Sequence, residues 1–112
     1  MNVTEEKIKD VNVLFVKEER IDAHNSSDLK DYLLHMIEKG AVNIVVQLEQ
    51  VKFVDSSGLG ALLSGFKHAE AKSGNLALCN IQPQVLSMFE LTRLNRVFEI
   101  HADLKDVFEI DF

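Results

Sequence analysis

Residues 53–60 read FVDSSGLG, so that an acid, two hydroxyls and two glycines occupy five of the six positions that follow an apolar pair, with Leu59 the sixth. Side chains of these types at this spacing support three kinds of chemistry. Asp55 or a serine can cap a following helix by accepting from its orphan first-turn amides, while the glycines permit a tight turn. Alternatively, Ser57 can serve as a nucleophile if a base and an orienting carboxylate lie within reach and helix amides form an oxyanion site. Or a serine here can accept a phosphoryl group. Gly58 directly after Ser57 leaves room for a kinase cleft. A phosphate at a helix start meets the positive end of the dipole and free N–H groups, so that about −1.5 to −2 of charge is added while the fold is kept.

Which companions these residues have depends on the elements that hold them. "VNVLFV" from Val11 to Val16 is β-branched and aromatic, and with the alternating stretch Val3 to Ile8 it reads as a hairpin turning near Lys9-Asp10. A helix follows, with Leu29, Leu33, Met36 and Ile37 at helical spacing, Asn25 or Ser26 as its cap and Gly40 just past its end. The apolar run Ile44 to Val46 suits a strand covered on both faces. Strand, helix and strand make a crossover unit whose strands are parallel and end on one edge. The loop EERIDAHN and the DSSG knuckle then become neighbours, with Asp22 and His24 beside Ser56 and Ser57. A hydrolase would use Ser57 as nucleophile, His24 as base and Asp22 or Asp55 as orienter. Against it, the knuckle lacks the G-x-S-x-G pattern, and so short a chain leaves little material for a substrate pocket.

Further along, Ser57 to Ser73 reads as a helix with Leu59, Leu62, Leu63, Phe66 and Ala69 on one side, ending at Gly74. Leu76 to Asn80 is a short strand, and Pro83 opens a helix through about Leu91 that turns Val85, Leu86 and Phe89 inward. A brief extended piece and a last helix from Ala102-Asp103 complete the order ββαβαβα(β)α. This predicts an α/β domain spanning residues 1–112, a mixed sheet of four to five strands with an N-terminal hairpin and flanking helices.

Composition narrows the function classes. With 12 Lys and Arg against 18 Asp and Glu, the net charge of −6 repels phosphate backbones and anionic membranes, so neither nucleic acid nor membrane is an expected partner. The N-terminus has no apolar segment of a secretory signal, and the lone Cys79 sits in an apolar run, which together point to a cytoplasmic protein. His35, His68 and His101 are too scattered for a metal site. Asp103, Asp106, Glu109 and Asp111 read as an acidic solvated face, and Met36 and Met88 as core.

The span "FVDSSGLGALLSGFKHAEAKSGNLALCNIQPQVLSMFELTRLNRVFEI" resembles the bacterial anti-sigma factor antagonists built from a single STAS domain, in its D-S-S-G-L-G signature, its Pro83-x-Val85 helix start and its late VFEI. The register of the resemblance holds over nearly the whole chain. It implies a regulator rather than an enzyme, with no cofactor. The unmodified protein would bind an anti-sigma factor that is also its serine kinase. Phosphorylation of the second serine of the motif, here Ser57 with Ser56 as the fallback, would break that complex, and a phosphatase would restore it. Asp22 matches the family's Asp before the first helix. The implied contact face comprises Asp22, Asp55, Ser56, Ser57, Gly58, Leu59 and Gly60, with Leu59 counting only if it is partly exposed. Ser57→Ala and Ser57→Asp are expected to melt like wild type. Two positions depart from the family pattern: Glu19 stands where Gly-x-Leu-Asp has glycine, and Arg93 where Thr-Gly-Leu has it. A STAS-type interaction module in another signalling or transport complex is the alternative function.

Overall fold

The computed structural model describes residues 1–109; Asp111, assigned above to the acidic face, lies outside them. Strands β1 (Val3–Ile8) and β2 (Val11–Val16) form the antiparallel hairpin, with Lys9 at φ +55 in its turn. Helix α1 (Ser26–Glu38) then crosses to β4 (Asn43–Gln47), which pairs with β2 in parallel, Val13 opposite Val45. In chain order two short strands interleave with these, β3 (Arg20–Ile21) and β5 (Phe53–Val54). Helix α2 (Ser56–Ala71), β6 (Asn75–Cys79), α3 (Pro83–Leu91), a single 3-10 turn (Leu94–Arg96), β7 (Ile100–His101) and α4 (Leu104–Val107) follow.

The main sheet has five strands in the order β1-β2-β4-β6-β7, antiparallel only between β1 and β2. Alternation along its central strands sends Leu14, Val16, Ile44, Val46, Leu76 and Leu78 into a core beneath the helices. The opposite face carries Val45, Ala77 and Cys79, covered by Leu104 and Val107 of α4. Both faces of β4 are thus buried, as its unbroken apolar run requires. Burial pushes the Cys79 thiol up to about 12, helped by the charges of Asp103 and Glu49, so it stays protonated and unreactive near neutral pH. Among the described residues no helix is long and apolar enough to cross a membrane.

Local chemistry departs from expectation at several ends. Asn25 occupies the cap position of α1, but its side chain points backward, accepting from the Asp22 amide at 2.9 Å and donating to the Arg20 carbonyl at 2.8 Å. It braces the preceding loop instead of the helix. Asp103 is no solvated acid: its carboxylate accepts from Asn80 Nδ2 at 2.7 Å, and Asp106 accepts from the Asp103 amide at 3.1 Å in a reciprocal cap of α4.

The two departures from the family pattern have structural outcomes. Glu19 is not in the left-handed region; its carbonyl accepts from the amides of Lys52 and Phe53, and its carboxylate meets Lys52 Nζ at 3.1 Å. Arg93 does take the left-handed conformation, φ +62, just past the cap of α3, where glycine suffers no Cβ penalty. Arg93→Gly is therefore expected to stabilise the fold by about 0.5–1 kcal/mol, the relief of Cβ strain exceeding glycine's added entropy cost. Urea unfolding midpoints test this.

Candidate functional site

The site is built by a second, two-stranded sheet. β3 and β5 pair in parallel, Arg20 opposite Phe53 and Ile21 opposite Val54, so the two loops that leave them lie side by side. Ile21 and Val54 are fully buried and anchor the pair to the core. The Asp55 amide donates to the Ile21 carbonyl at 3.1 Å, extending the pairing by one step to the DSSG knuckle. The neighbourhood of EERIDAHN and DSSG expected from parallel strands is therefore present, held by direct backbone bonds.

Asp55 is the cap of α2. Its Oδ1 accepts from the Ser57 amide at 2.9 Å, the Gly58 amide at 3.1 Å and the Ser57 hydroxyl at 2.5 Å. Those bonds, the Ser57 hydroxyl foremost, hold the Asp55 carboxyl below the usual carboxylate range, and the Ala23 amide of the neighbouring loop adds to them. Two first-turn amides are thus already taken. A phosphate on Ser57 would meet a carboxylate there before it met free donors, contrary to the expectation from sequence.

Asp22 folds onto its own loop, accepting from the His24 amide at 3.0 Å and facing Arg20 Nε at 3.4 Å. The His24 amide above all, and Arg20 with it, keep its carboxyl below the ordinary value. Asp22, Asp55 and Asp103 all titrate lower in the folded than in the unfolded chain. Their contributions are complete above the unfolded carboxylate value, about 4, and are lost as pH falls through the folded values. Urea midpoints should accordingly hold steady down to about pH 4 and then drop, with a shallower drop in Asp55→Asn, which can still cap but does not titrate.

The proposed contact residues divide by exposure. Ser56 and Gly60, one helical turn apart, are exposed, and Ser57, Asp55 and Asp22 are half-buried. Leu59 is only 4% exposed and belongs to the core, which removes it from any contact face. Gly58 is buried as well: a Cβ there would lie 2.9 Å from the Ile21 carbonyl oxygen and 2.8 Å from Val54 Cγ1. That glycine lets α2 rest on the β3–β5 pair. It opens no room for a visiting kinase.

His24 is 96% exposed, with Nδ1 at 3.5 Å from Asp22 Oδ1, while the Ser57 hydroxyl donates to Asp55. The serine and the histidine are not hydrogen-bonded, and no pocket opens beside them among the described residues, so a nucleophile and its base are not assembled. His68 Nδ1 lies 2.8 Å from the Ser64 carbonyl and His101 Nε2 lies 3.0 Å from Glu99, each occupied locally. Sequence reading missed one feature of this edge. Arg20 lies over the Phe53 ring, 4.2 Å from its centroid, with both side chains exposed. No sequence signal marks it, because strands of two residues each are too short to show which side chain faces out.

A mixed five-stranded sheet flanked by helices, with the serines at the start of α2 just past a short parallel pair, carries the D-S-S-G-L-G signature on the fold expected for it. The chain belongs to the STAS domain family, whose family model matches residues 2–107. It is similar to the anti-sigma-B factor antagonist of Bacillus subtilis (strain 168), 30% identical over 82 residues that make up 73% of this chain and 74% of that one. A crystal structure of an anti-sigma factor antagonist from Mycobacterium paratuberculosis shares the fold with a TM-score of 0.85 at 21% identity, covering 96% of this chain and 90% of that one. The Bacillus cell fate determinant SpoIIAA in its phosphorylated form matches with a TM-score of 0.72 at 22% identity, covering 96% and 97% of the two chains.

Proposed function

We propose that this chain is an anti-sigma factor antagonist that works as a phosphorylation switch in the cytoplasm. With Ser57 unmodified it binds an anti-sigma factor that is also its serine kinase; with Ser57 phosphorylated it lets go, and a phosphatase returns it to the binding form. The observation that carries the reading is the setting of Ser57. Ser57, half-buried as a residue, stands in the first turn of α2 with its hydroxyl hydrogen-bonded to Asp55, at the end of the parallel pair that leads into Asp22. A phosphate there adds charge beside two carboxylates on a surface that a partner must desolvate. Added repulsion replaces any need for a conformational change.

Similarity to antagonists over most of the chain supports the reading, as does the intact Asp55-Ser56-Ser57-Gly58 motif. Exposure by itself favours Ser56; the hydrogen bond to Asp55 and the position as second serine of the motif favour Ser57. The experiment is an intact-mass measurement on protein from its native cells, followed by mapping of the modified residue. A gain of one phosphoryl group on Ser57 is the expected result; phosphate on Ser56 alone moves the acceptor by one position, and no phosphate under any growth condition defeats the switch.

A further inference from the structure

The outer face of the β3–β5 pair carries a side-chain arrangement that the switch at Ser57 does not use. Arg20 and Phe53 are opposite one another in the pairing, the guanidinium sits 4.2 Å from the ring centroid, and Arg20 Nε faces Asp22 at 3.4 Å. Phe53 is 40% exposed as a residue although its neighbour Val54 is fully buried, and the Arg20 side chain is 61% exposed. Among the described residues the two terminal nitrogens of Arg20 have no hydrogen-bond partner, whereas the adjacent cation, Lys52, is engaged by Glu19 at 3.1 Å. One planar fork of free donors therefore stands on an aromatic plate. It continues directly into Asp22 and Asp55.

We propose that the stacked Arg20–Phe53 pair is the anchor that selects this chain's kinase-type partner, Arg20 gripping a carboxylate of that partner and Phe53 covering an apolar side chain beside it. Stacking holds the guanidinium flat at little further entropy cost, which suits two-point binding of a carboxylate, and Arg and aromatic residues carry a disproportionate share of interface energy. The sign of the charge fixes the occupant. On this edge Lys52 is held by Glu19 while the terminal donors of Arg20 are free, so a carboxylate of the partner finds its attraction at Arg20. The anchor lies outside the hydroxyl it accompanies, so it sets which partner docks while Ser57 sets when.

The inference rests on the switch proposed above, and one set of titrations separates the two. The probe is the purified kinase-type anti-sigma factor of the same organism, titrated calorimetrically with wild type, Ser57→Asp, Arg20→Ala, Arg20→Lys and Phe53→Ala. Arg20→Ala and Phe53→Ala are each expected to weaken binding at least about tenfold. Arg20→Lys should fall between, because it keeps the charge and loses the fork. Urea midpoints of the Arg20 variants should stay near wild type, since the side chain is exposed. If Ser57→Asp loses binding while both anchor variants bind like wild type, the anchor is wrong and the switch stands. If wild type and Ser57→Asp bind alike, or wild type does not bind at all, the switch is wrong and the anchor falls with it. Sedimentation that shows a wild-type dimer dissociated by Phe53→Ala would assign the face to a second copy of the chain and overturn the proposal.

Discussion

Ser57→Asp should bind the kinase-type anti-sigma factor roughly a hundredfold more weakly than wild type, while Ser57→Ala binds it constitutively, in the presence or absence of ATP. The effect is electrostatic. Asp55 Oδ1 lies 2.5 Å from the Ser57 hydroxyl, which is a donor in the unmodified protein. Replacing that donor by a carboxylate, or by a phosphate of about −1.5 to −2, puts like charges together, and on the proposed contact surface they would have to shed water on docking. Binding measured by titration calorimetry, with and without ATP, decides it. If Ser57→Ala still loses binding on incubation with kinase and ATP, the acceptor is another residue, and Ser56 is its immediate neighbour.

The same hydrogen bond revises the expectation that both variants melt like wild type. Ser57→Ala removes one donor from Asp55 but leaves the two amides that the cap satisfies, so a loss of a few degrees is the expected result. Ser57→Asp loses the donor and gains repulsion, and its melting temperature should be the lower of the two. That order is useful in practice. A binding defect in Ser57→Asp counts as a switch effect only if the variant is folded at the temperature of the titration.

Much of the frame was legible because its signals are long. The hairpin, α1, β4, α2, β6 and α3 each carry several residues of one period, and their ends fall within a residue or two of expectation. The pair β3–β5 was not legible. Two residues are too few to show alternation, and the partners are separated by more than thirty positions, so only the tertiary structure reveals that they meet. The cap was legible as a motif but not as an atom, since three adjacent side chains could each have supplied the oxygen. Leu59 shows the limit from the other side: a leucine in a polar signature can be contact or core, and the helical phase that buries it is set by the packing of α2 against α1 and β6 as well as β5.

Gly58 and Gly60 invite the opposite pair of outcomes from the same substitution. A methyl group at position 58 would meet the carbonyl oxygen of Ile21 at 2.9 Å, and Ile21 cannot retreat because its carbonyl also accepts from the Asp55 amide. Gly58→Ala must therefore lift the start of α2 away from β3, loosening the cap and the neighbouring loop together. An overpacking cost of about 2–3 kcal/mol, or about 8–12 °C in melting temperature, is expected. At position 60 nothing lies within 4 Å of the added carbon, so Gly60→Ala should gain about 0.5–1 kcal/mol from helix propensity. Thermal melts of the two variants give the comparison. The value of the second lies in what it does to binding. Gly60 shares the exposed side of α2 with Ser56, and if the partner lies across that side, the methyl group that stabilises the free protein will weaken the complex. A Gly60→Ala protein that is more stable and binds as tightly as wild type would confine the contact to the helix start and to the β3–β5 edge, and a loss of affinity without any loss of stability would extend the interface along α2.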